Sequence, residues 1–319
     1  MNQYVLDFEK PIRDLVNKID ELEELAKNGE MGLETEIERL RRKADKLRQD
    51  IYSKLTRWQT VQLARHPHRP YAIDYISRMT TDFIELHGDR CFRDDKAIVA
   101  GLARMGSYHL AIIGHQKGHG TKDNLYRNFG MPHPEGYRKA LRVMKLAEKF
   151  NLPVVTLIDT PGAYPGIGAE ERGQASAIAN NLFEMSKLRT PIVAVVIGEG
   201  GSGGALALGV ADRVHMLRYA IYSVISPEGC ASILYRDASH AQTAAEALRL
   251  TAPDLKDLGL IDDIIDEPLG GAHNAPETTA ESVRQTILAS LDELAGMEPE
   301  ARIAARLEKY NRMGKWKTV

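Results

Sequence analysis

Two glycine-rich segments, each directly after an apolar β-branched run, hold the residues of this chain best suited to chemistry. The first is Ile158-Asp159-Thr160-Pro161-Gly162-Ala163-Tyr164-Pro165-Gly166-Ile167-Gly168, and the second is Gly198-Glu199-Gly200-Gly201-Ser202-Gly203-Gly204-Ala205. Glycine lets a backbone turn sharply and bring bare N–H groups up to a ligand, so the pair points to a site built from main-chain donors. Such donors stabilise an oxygen that becomes anionic during a reaction, each by about 2.7 to 4 kcal/mol. Gly203 and Gly204 stand where a helix should begin, with N–H groups facing outward.

The elements that must hold these turns follow from periodicity. Apolar residues at Phe8, Ile12, Leu15, Ile19 and Leu22, then at Leu33, Ile37, Leu40, Ala44, Leu47 and Ile51, form two heptad seams around the break Asn28-Gly29-Glu30-Met31-Gly32. They predict an antiparallel helical hairpin over residues 1–64. Arg65-His66-Pro67-His68-Arg69-Pro70 marks a boundary, because its prolines force extended backbone. Ala97 to Ala103 and Tyr108 to Gly114 read as a β-hairpin across Met105-Gly106-Ser107. Helix and strand then alternate: helix Glu135 to Phe150, strand Pro153 to Ile158, helix Ala169 to Ser186, strand Pro191 to Ile197, a small-residue helix from Gly203, and short strands near Val214 and Tyr222. That alternation predicts an α/β fold with parallel strands and ligands at their C-terminal ends, where both glycine segments lie. A helical tail with Leu288, Leu291 and Leu294 on one side completes the chain from about Glu277.

Composition narrows the function classes. A net charge of −2 over 319 residues provides no global basic field for nucleic acid or anionic membrane. Cys91 and Cys230 stand far apart, which argues against a disulfide framework or a Cys-x-x-Cys zinc site. The first residues are neither basic nor followed by a signal-length apolar run, and no 18 apolar residues occur in succession. A soluble cytoplasmic protein is expected.

Several motif matches compete for the same residues. Gly198 to Gly203 fits the dinucleotide fingerprint G-x-G-x-x-G, but the acidic residue due about twenty positions on is replaced by Met216-Leu217-Arg218. Gly200-Gly201-Ser202-Gly203-Gly204 fits the G-x-S-x-G elbow of serine hydrolases, with Asp237, His240 and His273 as available partners, none in a recognisable context. Asp159-Thr160-Pro161-Gly162 imitates a GTPase switch, yet no phosphate loop accompanies it. His115 and His119 have metal-ligand spacing across a loop-like Gln116-Lys117-Gly118, where the spacing loses its meaning. Lys117, Arg127, Arg138 and Arg172 can meet phosphates or carboxylates, or can be ion-paired within the protein.

Taken together, Asp159 to Gln174 and Gly198 to Ala207 closely resemble the signatures of the carboxyltransferase α-subunit family of bacterial multisubunit acetyl-CoA carboxylase. The likeness extends to Arg65 to Tyr71, Gly114 to Gly118, Asn128 to Pro132, Pro134 to Ala140 and Ser223 to Ala231, in unbroken order over roughly residues 5 to 275. The last forty or so residues are similar only in being helical. The resemblance implies a crotonase-type fold of repeated ββα units: a hairpin (1–64), a carboxyltransferase core (65–275) and a C-terminal helical segment (276–319).

The activity implied is transfer of a carboxyl group from the N1 of carboxybiotin, presented by a biotin carboxyl carrier protein, to acetyl-CoA, giving malonyl-CoA for fatty acid biosynthesis. The family works as an α2β2 heterotetramer whose β subunit brings a zinc ribbon and the thioester oxyanion hole, while ATP is used by a separate biotin carboxylase. Carried over by position, Gly203 and Gly204 hold the biotin ureido oxygen, with Gly166, Gly168, Gly201 and Ala205 as cofactor-binding positions beside them. No metal is expected in this chain. A serine hydrolase centred on Ser202 is the alternative.

Overall fold

The heptad seams become two helices packed side by side. In the computed structural model, which describes residues 4–28 and 32–314, α1 (Lys10–Lys27) and α2 (Glu34–Tyr52) close on each other through Ile19, Ile37, Leu40 and Ala44. The seam therefore buries itself. At the base of the hairpin, Leu6, Ile12 and Tyr52 meet Leu63 and, from the core, Tyr219. Residues 29–31 of the predicted glycine break, like Met1 to Gln3, lie outside the described residues. Next, α3 (Arg57–Ala64) starts at a capping box in which Thr56 and Gln59 satisfy each other's backbone N–H groups, and lays Val61 and Ala64 on Ile221, Ala245 and Leu250.

After α4 (Ala72–Met79), the strands β1 (Thr81–Glu85), β2 (Ile98–Met105) and β3 (Tyr108–His115) pair antiparallel, the last two forming the predicted hairpin. The sequence pattern did not reveal β1: it is short and polar, and Asp82 interrupts its register at φ +57°. The alternating part follows as α5 (Thr121–Tyr126), α6 (Pro134–Lys149), β4 (Val154–Thr160), α7 (Ile167–Glu171), α8 (Gln174–Lys187), β5 (Ile192–Gly201), α9 (Ser202–Leu206) and β6 (Arg213–Leu217). It is closed by β7 (Ile221–Ser223), α10 (Pro227–Tyr235), α11 (Ala241–Leu248), α12 (Ala252–Asp257), β8 (Asp263–Ile265), α13 (Pro276–Ala295) and α14 (Pro299–Asn311).

All strands join one sheet in the order β1-β2-β3-β4-β5-β6-β8, with β7 pairing the far end of β5. From β3 onward the pairing is parallel. Strands covered on both faces read as unbroken apolar runs, which is why Val154, Val155, Leu157, Ile158 and Ile192 to Ile197 are all fully buried. Ala140, Val143, Met144 and Ala147 of α6 join them, as do Val283, Ile287, Leu291 and Leu294 of α13. Each fully buried Val, Leu, Ile or Met side chain among them contributes about 1.5 to 3 kcal/mol.

Three local differences from the sequence pattern concern the glycine segments. The helix expected over Ala169 to Ser186 is two helices, because Gly173 takes φ +81° and a right-handed helix cannot pass through that conformation. The strand expected to end at Ile197 runs on to Gly201, since Glu199, Gly200 and Gly201 pair with Ile221, Tyr222 and Ser223. The small-residue helix from Gly203 is only the five residues of α9.

Candidate active site

Because β4 and β5 are parallel neighbours, the two glycine segments leave the sheet side by side, Thr160 pairing with Gly200. Thr160 ties the first turn: its hydroxyl donates to the Gly162 carbonyl at 2.7 Å and accepts the Gly162 N–H at 3.0 Å. The second segment turns at Ser202, whose φ of +50° redirects the chain from strand into α9. The two turns are in backbone contact. A Cβ at Gly201 would lie 2.2 Å from the Pro161 carbonyl oxygen, and one at Gly204 would lie 2.6 Å from the Gly162 carbonyl carbon and 2.7 Å from the Ala163 nitrogen. No other residue type permits that approach.

This contact fixes where the donors are. The first N–H groups of any helix lack intrahelical partners, and no side chain caps α9. Among the described residues, neither the Gly203 nor the Gly204 N–H has a hydrogen-bond acceptor. Five residues make only a weak macrodipole, so the feature of this terminus is its two unaccepted donors and not a helix field. A notional Cβ at Gly203 would make only ordinary van der Waals contact, with Ile178 at 3.6 Å. Ala205 is buried in the core directly behind. Gly201 and Gly204 thus close on residues 160 to 163, while Gly203 faces Ile178 and Ala205 is in the core. Gly166 and Gly168 lie further along, at the start of α7, against the Tyr164 ring and the Arg172 guanidinium.

A buried ionic bridge underlies both turns. Lys117 Nζ lies 2.7 Å from Asp159 Oδ1 of the first segment and 2.7 Å from Glu199 Oε2 of the second. Arg65 Nε meets the other oxygen of Glu199 at 2.6 Å and extends to Glu228 on α10. Burial pulls the Lys117 ammonium toward neutrality, but Asp159 and Glu199 outweigh it and its pKa is raised. Burial likewise opposes ionisation of Glu199, and Lys117 and Arg65 overcome it, lowering its pKa to about 2. The bridge was not legible in the motifs, although the acid in each glycine segment, Asp159 and Glu199, was its available signal. Behind Gly204, His115 is fully buried and its pKa falls to about 3, so the ring is neutral against the backbone of Gly204 and Leu157.

The remaining basic candidates are ion-paired within the chain. Arg127 binds Asp123 at 3.0 Å, Arg138 binds Asp89 at 2.8 Å, and Arg172 binds the fully buried Glu135 at 3.1 Å. The hydrolase partners are elsewhere: His273 stacks on His66 at 3.8 Å, His240 lies against Tyr235, and Asp237 caps Ser239. Among the described residues no hydrogen bond joins Ser202 to a histidine, so Ser202 serves the turn. His115 ends β3, whereas His119 lies tilted against Tyr71 and reaches Asp74, which separates the would-be metal pair. No described cluster of three or more His, Cys, Asp or Glu could hold a metal ion, and no described helix is long and apolar enough to cross a membrane.

Solved structures of carboxyltransferases share this architecture. The 12S subunit of transcarboxylase superposes with a TM-score of 0.58 at 21% identity, over 71% of this chain and 42% of that one. The β subunit of Pseudomonas aeruginosa geranyl-CoA carboxylase gives 0.57 at 18% identity, over 78% and 46%. The fold is therefore the crotonase-like fold of carboxyltransferases.

The family profile described as acetyl co-enzyme A carboxylase carboxyltransferase-like matches residues 5–314, so the likeness continues through the C-terminal helices, beyond the expected limit near residue 275. The acetyl-coenzyme A carboxylase carboxyl transferase subunit alpha of Geobacter metallireducens is 55% identical over 99% of both chains, and that of Dichelobacter nodosus 57% over 98% of both. The chain belongs to the family of acetyl-CoA carboxylase carboxyltransferase α subunits, and is thus a transferase subunit.

Proposed function

We propose that this chain forms the biotin-side half of a carboxyltransferase that moves a carboxyl group from carboxybiotin to acetyl-CoA. The carrying observation is the pair of unaccepted N–H groups of Gly203 and Gly204, held by backbone contact with the Gly162–Ala163 peptide. Two fixed donors beside the apolar Ile178 fit a urea oxygen that gains negative charge, and they need no reorganisation as it does so. When bound, carboxybiotin supplies the CO2 unit and then, at its freed N1, the base that takes the acetyl methyl proton. The methyl carbon gains the carboxyl group and N1 gains the proton, so no side-chain nucleophile is required. Gly203 and Gly204 orient the urea, while Gly201 and Ala205 set the depth of the turn. Gly166 and Gly168 shape the neighbouring wall.

The donors for the thioester come from a β subunit with a zinc ribbon, in an α2β2 assembly served by the biotin carrier and by a biotin carboxylase that uses ATP, all in the cytoplasm. Exposed apolar side chains support an incomplete surface: Ile167 is 80% exposed and Val224 74%, with Ile233 and Leu234 of α10 close behind. Purified alone, the chain is expected to catalyse neither malonyl-CoA formation nor its reverse, and added β subunit to restore both. Carboxyl transfer by the single chain would refute the half-site.

A further inference from the structure

We propose that Lys117 is a positioning residue for carboxyl transfer, its ammonium setting the spacing of the two glycine segments and thereby the aim of the Gly203 and Gly204 N–H groups. The proposal rests on the oxyanion reading above. Its first support is the reach of the bridge. Asp159 and Glu199 each belong to one segment, and a single ammonium 2.7 Å from both joins them where the strands end. Asp159 Oδ1 also accepts the Glu199 N–H at 2.9 Å, so side chain and backbone close one ring across β4 and β5.

The second support is how much surrounding structure admits this side chain. Asn128, Phe129 and Gly130 take φ values of +48°, +55° and +76° in succession, a costly conformation for the first two. The turn brings Gly130 against the Lys117 stem, where a Cβ would lie 2.6 Å from Lys117 Cγ. On the far side a Cβ at Gly198 would lie 2.5 Å from Asp159 Oδ1. A lysine that merely neutralised charge would not need a strained turn and two missing side chains around it.

Removing the cation creates a defined electrostatic fault. Among the described residues, Arg65, Arg69, Tyr71, Tyr75, His115 and Glu228 are the other charged or titratable groups around Asp159 and Glu199, and of these only Arg65 bonds to either carboxylate. In Lys117→Met the two carboxylates face each other with one charge too many. At lower pH they share a proton and hold the segments together; as pH rises both ionise, repel and part the segments. Activity relative to wild type therefore falls with rising pH.

The test uses the enzyme assembled with its β subunit, assayed for transfer from malonyl-CoA to free biotin between about pH 6 and about pH 9, with thermal melts alongside. Lys117→Met is expected to lower kcat about 100-fold near neutral pH, because an error of about 1 Å in aim has that effect. The KM for malonyl-CoA should stay within about twofold, and the loss should deepen with pH. Lys117→Arg, which keeps the charge in a bulkier and planar group, should show a smaller loss than Lys117→Met and no pH trend. Should Lys117→Met fail to assemble, the double variant with Glu199→Gln relieves the surplus charge and should show the same kcat loss without the pH trend.

A kcat within twofold of wild type, a loss confined to KM, or a loss independent of pH in the single variant would overturn the positioning role. Gly203→Pro, which deletes one donor, separates the two readings. Full activity in Gly203→Pro refutes the oxyanion reading itself, whereas a loss there beside an unimpaired Lys117→Met refutes Lys117 alone.

Discussion

Gly204 is packed against Gly162 so closely that a methyl group on Gly204 would lie 2.6 Å from the Gly162 carbonyl carbon and 3.0 Å from its oxygen. Those neighbours are backbone, so they cannot rotate away as a flexible side chain would. Two segments whose contacting glycines are more than forty residues apart in sequence are thereby held as one object, and the donor at Gly204 takes its position from the turn at Gly162.

Substitution at Gly204 should consequently disturb both segments. Gly204→Ala is expected to lower the melting temperature and to reduce kcat about 100-fold or more, by forcing the Gly162–Ala163 peptide aside. Paired melting curves and rates of the assembled enzyme check this; an unchanged melt with full activity would show that the contact is dispensable.

Gly203 separates donor from fold. Its notional Cβ meets only Ile178, at 3.6 Å and 3.8 Å, so Gly203→Ala is expected to retain the N–H, the melt and most of the rate. Gly203→Pro deletes the N–H in the first helical turn, where proline is tolerated, and should reduce kcat about 10²- to 10³-fold with little change in KM for the CoA substrate. Steady-state kinetics of the two variants side by side measure one donor.

What the sequence revealed and what it hid divide along contact distance. The heptads of α1 and α2, the buried runs of β4 and β5 and the hairpin of β2 and β3 were legible because periodicity is a local property. The break at Gly173 and the short β1 were not, since one depends on a single φ and the other on a partner strand. At the site, the glycines announced a main-chain arrangement. Their mutual backbone contact, and the Lys117 bridge between Asp159 and Glu199, join residues distant in sequence and leave no local pattern. The tail likewise read only as helix, although Arg306 makes it part of the core.

Arg306 is buried, with Nε and Nη2 each 2.8 Å from an oxygen of Asp212 and Nη1 bound to the carbonyls of Met185 and Leu188. It ties α14 to the end of α8 and, through Asp212, to the start of β6. Arg306→Met should cost about 3 to 5 kcal/mol, because Asp212 is left as an uncompensated buried charge. Adding Asp212→Asn should return part of that loss. Urea unfolding of the three proteins tests the claim, and a cost below about 1 kcal/mol in the single variant would remove Arg306 from the structural core.

His66 and His273 stack at 3.8 Å with their rings 10° apart, and Tyr4 meets His66 edge-on. Burial first, and then neighbouring imidazole and arginine charge, lowers the pKa of His66 from 6.5 to about 4 and that of His273 to about 3. A histidine whose folded pKa is depressed binds its proton more readily when unfolded. Its contribution is therefore complete above pH 6.5 and is lost as pH falls toward 4. For His66 this amounts to about 3 kcal/mol across that interval. His66→Phe keeps an aromatic partner for His273 but cannot titrate, so its unfolding free energy should fall less steeply with acidification. Chemical denaturation at a series of pH values gives both slopes, and parallel slopes for the two proteins would show that His66 does not couple protonation to folding.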